Sequence, residues 1–185
     1  MNRRRFIATA TAGSTTAATS LLAQAPRSRP VLSLFSKHAA QLNYKDLARY
    51  ARETGFEGVD LTVRPAGHVL PSRVSEDLPV AVSTLREAGL KVPMITTGLT
   101  NPAAPEAAAT LRAASGLQIP FWKPGYWRFD TAKDSRVDLD AKLTQVGAAL
   151  SAFAQMSRAN NICCGMHNHS GNYVGAPVWD TWQMI

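Results

Sequence analysis

Cysteine is scarce in this chain, and its two residues, Cys163 and Cys164, are adjacent within an apolar stretch. Adjacent thiols suit neither a disulfide framework nor a zinc knuckle, whose ligands must be spaced apart, and the pair reads as buried small hydrophobes. Long apolar runs are missing as well, so no segment is predicted to cross a membrane stably. Acidic residues are few, 13 against 20 Lys plus Arg, for a formal net charge of +7. Three of the cations, Arg3, Arg4 and Arg5, lie in a leader without acidic residues; the remainder, 20 − 3 = 17 against 13, leaves +4. With no basic run longer than two residues in that remainder, the surface is mildly basic and a nucleic-acid groove is not expected. No glycine-rich dinucleotide fingerprint follows the first strand candidate, where Ser36-Lys37-His38 stands instead. What is present is apolar mass, 45% of 185 residues with 12 Gly and 11 Pro. That composition excludes a collagen, a coiled coil or a disordered tail and predicts one packed domain or part of one.

Asn2-Arg3-Arg4-Arg5-Phe6-Ile7, followed by a weakly apolar run rich in Ala, Thr and Gly to Leu22, looks like a twin-arginine export signal. Residues 1–25 are assigned to it, with cleavage after Ala23 or retention as an anchor both open, and a periplasmic or secreted location is expected. Residues 26–185 then form the folded part.

From Pro30 onward, short apolar strands alternate with helical patterns, the sequence form of repeated βα units. Strands are predicted at Val31–Phe35, Gly58–Val63, Val92–Thr96, Pro120–Lys123 and Ile162–Met166. A first helix is capped by Asn43, stapled by Leu42 and Leu47, and stopped by Gly55. A second runs from Ser75 to Ala88 with Pro79 in its first turn and Gly89 as its stop; a third runs from Pro105 to Ser115 and ends at Gly116. The fourth shows Leu139, Leu143, Val146, Leu150 and Phe153 on one face, capped by Asp138. The predicted fold class is α/β, a (β/α)8 TIM barrel truncated after about five strands and four helices, since eight such units need a chain of about 290 residues.

Phe35-Ser36-Lys37-His38, Gly55-Phe56-Glu57-Gly58-Val59-Asp60-Leu61-Thr62-Val63-Arg64-Pro65, Gly125-Tyr126-Trp127-Arg128-Phe129-Asp130 and the run Asn168-His169-Ser170-Gly171-Asn172-Tyr173 resemble the sugar phosphate isomerase/epimerase family of xylose-isomerase-like TIM barrels. The resemblance implies a divalent metal (Mn, Mg, Co or Zn) and proton transfer between sugars or polyols through an enediolate-type intermediate. It further implies metal ligands at the ends of the fifth to eighth strands. His167 stands where the family's fifth strand commonly carries a glutamate ligand, which makes it the candidate metal residue.

Residues just past strand ends share one face of such a barrel. All four histidines fall there: His38, His68, His167 and His169. A neutral imidazole can bind a metal or move a proton near pH 7, so His38, His68 and His169 are candidate acid–base groups, with surface or packing roles as the alternative. Strand alternation would bring His167 and His169 to one side and turn Asn168 away. Arg64 suits a phosphate or carboxylate, or solvent. Tyr126 and Trp127 suit a wall against a sugar ring, or an anchoring cluster with Phe121 and Trp122. Asn172 suits a substrate contact, or a turn. Asp60 and Asp130 are too isolated in sequence to read as an acid–base pair.

The functional expectation is an isomerase or epimerase acting on a small sugar or polyol, inactive as this chain alone. The alternatives are a non-catalytic truncated product and a periplasmic carbohydrate-binding protein. Uncovered edges would favour aggregation or a homodimer.

Overall fold

The computed structural model describes residues 29–129 and 139–185. The leader, Asp130 and the helix cap expected at Asp138 lie outside the described residues. Residues Val31–Ile185 form one compact unit. Its strands are β1 (Ser33–Phe35), β2 (Gly58–Val63), β3 (Lys91–Thr97), β4 (Phe121–Lys123) and β5 (Cys163–Cys164), all parallel and in sheet order β1-β2-β3-β4-β5. Its helices are α1 (Tyr44–Glu53), α2 (Val74–Glu87), α3 (Pro105–Gly116), α4 (Leu139–Ala159) and a short α5 (Val178–Met184), with 3-10 turns at Ser36–Ala39 and Pro71–Arg73. Every strand is followed by a helix, as the alternating pattern predicts.

Strand parity sorts the side chains into two faces. Leu61, Ile95, Trp122 and Cys164 are register partners on the face that packs against the helices. Trp122 is fully buried and meets Phe153 of α4 edge-on at 5.1 Å, and its indole N–H donates to Ser157 Oγ at 2.9 Å. A large apolar side chain is thereby buried with no unpaired polar atom. The opposite face carries the partners Phe35, Asp60, Met94, Phe121 and Cys163, and beyond them the row Thr62, Thr96 and Lys123. This second face holds most of the sheet's polar groups; Thr97, of the other parity, donates its hydroxyl to the Lys123 carbonyl.

The four longer helices end alike. In each, a residue in the left-handed region closes the last turn: Gly55, Gly89, Gln118 or Asn161. The next residue, apolar in every case (Phe56, Leu90, Ile119, Ile162), donates its amide back to Ala51, Leu85, Ala114 or Ser157. This is the Schellman arrangement, and its apolar residue leads straight into the following strand.

Several sequence expectations change. The third helix ends at Gly116 as expected, but the left-handed residue that closes it is Gln118, fixed by the paired bonds of Gln118 to Ser115 and Ile119 to Ala114. Pro79 is the sixth residue of α2, past the first turn, since that helix starts directly after the Pro71–Arg73 turn. Its ring removes the bond to the carbonyl of Ser75, an exposed residue where water has access. Leu139 is 46% exposed although Leu143, Val146, Leu150 and Phe153 are buried as expected. Cys163 is exposed and Cys164 only half-buried, because Cys163 has the parity of the open face.

Candidate active site

The open face of the sheet ends in a cavity of about 370 Å³ at the C-terminal side of the strands. Phe35, Met94 and Met166 form apolar walls, and Asp60, Thr96, Lys123, Tyr126 and His167 bring polar atoms to it. Asp60 and Lys123 are 63 residues apart in sequence and share the cavity only because parallel register sets β2, β3 and β4 side by side.

Thr96 Oγ1 donates to Asp60 Oδ2 at 2.8 Å, while Asp60 Oδ1 is buried with no hydrogen-bond partner. Burial raises this carboxyl to a pKa of about 6, against the opposing pull of the Thr96 hydrogen bond and the Lys123 cation. Lys123 is 6% exposed. Its Nζ donates to the Pro124 carbonyl at 2.8 Å and sits 3.8 Å from the centre of the Tyr126 ring, a cation–π contact. Burial lowers its pKa to about 8; Asp60 resists the change and the Arg64 guanidinium adds to it. The Tyr126 hydroxyl lies 2.6 Å from His167 Nδ1. Burial pushes the Tyr126 phenol up, and burial together with the Lys123 charge holds the His167 imidazole down. One acid, one amine and a phenol–imidazole pair thus meet in a partly apolar chamber.

The four histidines do not converge. His167 lines the cavity, and His169 stacks outside it, its ring 5.2 Å from Tyr126 and 4.5 Å from Tyr173, with Nδ1 donating to the Ser170 carbonyl. β5 is only two residues long, so strand alternation does not reach His167 and His169. His38 is exposed and meets Phe35 edge-on at 5.6 Å. His68 occupies a separate cleft with Leu42 and Tyr44; its amide donates to Thr62 Oγ1, its Nε2 is buried without a hydrogen bond, and burial lowers its pKa. Arg64 is half-buried, and its charge acts on both Lys123 and Tyr126. Trp127 donates its indole N–H to the Thr100 carbonyl and, half-buried, packs against the core cluster that holds Trp122, while Phe121 is exposed. Asn172 holds a clasp above the cavity: its carbonyl accepts from the Phe129 amide and its Oδ1 from Arg128, whose guanidinium also covers the Tyr173 ring and bonds the Tyr173 hydroxyl.

Sequence reasoning misses Asp60, Thr96 and Lys123. A signal exists, since each is a polar residue at the parity opposite to Leu61, Ile95 and Trp122, and such residues in apolar strands must face away from the helices.

No protein-family profile and no curated protein sequence matches the chain. Solved structures do. A 3-keto-D-glucoside 4-epimerase from E. coli shares 15% identity at a TM-score of 0.60, over 77% of this chain and 58% of that one. A D-psicose 3-epimerase crystallised with D-fructose shares 14% identity at a TM-score of 0.54, over 84% and 60%. A xylose isomerase-like TIM barrel protein from Mycobacterium smegmatis, in complex with magnesium, shares 14% identity at 0.55, over 76% and 51%.

The fold is that of a TIM barrel, over five of its βα units.

The chain spans 51–60% of the length of these barrels. In a TIM barrel the strands' C-terminal ends form the functional mouth, and the cavity with Lys123 at the last residue of β4 lies on that side. A divalent ion in a barrel mouth needs about three or four converging protein donors. Among the described residues no three His, Cys, Asp or Glu side chains converge in this way. His167 supplies one nitrogen only, with its Nδ1 engaged by Tyr126 and the Lys123 charge nearby. These residues do not by themselves fit a metal.

Proposed function

We propose that the cavity binds a small sugar or polyol-derived carbonyl compound and moves the proton on the carbon next to its carbonyl, the step common to sugar isomerases and epimerases. The observation that carries this reading is Asp60: a carboxyl with one oxygen held by Thr96 and the other buried and unpaired, in a chamber large enough for a sugar. With a pKa of about 6, it is ionised at neutral pH yet basic enough to accept a carbon-bound proton. The Lys123 side chain offers its nitrogen to the carbonyl end, and the Tyr126–His167 pair offers a route for a proton to and from the substrate oxygen. Phe35 and Met94 present apolar surface to the C–H face of the sugar. The structurally similar proteins named as sugar epimerases support the choice of substrate class.

Inversion at a carbon requires a second proton donor on the opposite face, and the described residues place one carboxylate in the cavity. Metal dependence enters this reading through His167, whose single nitrogen needs further donors from outside the described residues. The expected behaviour of the chain alone is therefore exchange without epimer formation. Proton NMR of dihydroxyacetone and D-fructose in D2O tests it: deuterium should enter next to the carbonyl, at a rate that Asp60→Asn lowers about 100-fold or more. Equal exchange in the two proteins, or none above buffer, removes Asp60 from this role.

Export through the leader belongs to the same reading. Replacing Arg3 and Arg4 by Lys should leave a fused reporter in the cytoplasm; unchanged delivery excludes the twin-arginine route.

A further inference from the structure

We propose that Lys123 binds the carbonyl carbon of an open-chain aldose or ketose covalently, as an imine. Buried lysines are ordinarily paired with a carboxylate, or else run their stems along apolar surface and leave the ammonium in water. Lys123 does neither. It is buried at the end of β4, yet its Nζ forms no ion pair among the described residues; it rests on the Pro124 carbonyl and the Tyr126 ring. Asp60 is near enough to act electrostatically but gives its one engaged oxygen to Thr96. The nitrogen borders the cavity, so a carbonyl compound entering from the mouth meets an amine held by one hydrogen bond and an aromatic face.

The surroundings suit the chemistry of an amine nucleophile. Desolvation, helped by the neighbouring Arg64 cation and opposed by Asp60, favours the neutral amine, the reactive form. That amine adds to the carbonyl carbon, forming a C–N bond as the C=O π electrons move to oxygen. The oxygen takes a proton from the Tyr126 hydroxyl, and the nitrogen gives one to the Asp60 carboxylate, leaving a neutral carbinolamine. The Asp60 carboxyl returns that proton to the hydroxyl, which leaves as water while the nitrogen lone pair forms C=N, and Asp60 is again a carboxylate. The balance is amine plus carbonyl to imine plus water, with no oxidant or reductant. Once formed, a protonated imine draws electrons from the adjacent carbon and makes its proton easier for Asp60 to remove. The substrate class that follows is a sugar with a free aldehyde or ketone; a glycoside with its only carbonyl carbon locked in an acetal is excluded.

This inference rests on the reading of the cavity as a carbonyl-sugar site, and borohydride trapping separates the two. The full chain is incubated with glycolaldehyde or dihydroxyacetone at pH 7, reduced with sodium borohydride, digested and mapped by mass spectrometry. Lys123 should carry the reduced adduct at least about tenfold more often than the exposed Lys37, Lys45 and Lys91 of the same sample. Lys123→Met, with its circular dichroism unchanged, should lose that excess while its surface lysines label as before. Labelling of Lys123 at or below the surface level overturns the imine. Deuterium exchange without trapping removes the imine and keeps Asp60 as the base. Trapping without exchange keeps the imine and removes the proton-transfer reading.

Discussion

Ionising Asp60 works against folding, and its pH window follows from the two states. The carboxyl has an ordinary value of 3.8 in the unfolded chain and about 6 in the folded one, so the folded state binds the extra proton between these values. Its contribution to stability is complete below pH 3.8 and is lost as pH rises through about 6. The lift corresponds to about 3 kcal/mol. Asp60→Asn keeps an acceptor for Thr96 and removes the charge. The variant should therefore match the parent near pH 4 and exceed it by up to about 3 kcal/mol at pH 7. Urea unfolding at the two pH values measures this, and an advantage of equal size at both would show that burial of the charge is not its source. Neither Asp60 nor Lys123 stands out in the sequence, because their chemistry arises from a contact that only strand register creates. His38, His68 and His169, by contrast, are conspicuous in sequence and fall in three different surroundings. A strand end limits where a backbone emerges; it does not fix where a loop side chain turns.

At the scale of the elements, the helix ends carry a direct test. Gln118 holds a backbone angle of φ 56°, where a side chain costs about 1 kcal/mol and glycine costs almost nothing. Gln118→Gly should raise the unfolding free energy by about 0.5–1 kcal/mol. Gly55→Ala should lower it by about 1 kcal/mol. A methyl group added at position 55 would meet no atom within 4 Å, so its effect reports the backbone angle alone. Chemical denaturation of both variants checks the pair, and a gain in stability from Gly55→Ala would contradict the left-handed assignment. Local signals of this kind make α1 and α2 legible: Asn43 accepts from the Asp46 amide at 3.0 Å as a cap should, and Gly55 and Gly89 stop their helices. The end of the third helix at Gly116 is legible too, but the residue that closes it is not, because it is a glutamine, which propensity does not favour.

The molecule presents apolar surface on α5 and beside β5. Trp179 and Trp182 of α5 are 78% and 79% exposed, and Phe121 on the open face of the sheet is 49% exposed. A cleft of about 630 Å³ beside β5 is lined by Phe121, Ile162 and both cysteines. Surfaces of this kind favour association of copies. Sedimentation velocity of the chain should show mass rising with concentration, and Trp179→Lys with Trp182→Lys should reduce that rise. An unchanged monomer across concentrations would count against it. The βα order of the fold is readable at this scale, since periodicity changes from two to 3.6 at each boundary. The position of the cavity is not, because it depends on side-chain parity across four strands.

The connections at the two ends of the sheet differ in kind. Those leading from helix to strand, residues 54–57, 88–90, 117–120 and 160–162, are three or four residues long and share one hydrogen-bonded closure. Those leading from strand to helix vary, from 98–104 after β3 to 165–177 after β5, which carries the Tyr173 of the clasp with Arg128. Insertions and sequence exchange should accordingly be tolerated at one pole and punished at the other. A library that randomises 98–104 apart from the buried Leu99 should retain folded members, whereas one extra residue in 160–162 would shift Ile162 out of its closure and move β5 out of register with β4. The barrel end that holds the chain together and the end free to acquire new chemistry are thus physically separate, which lets selection act on one without dismantling the other.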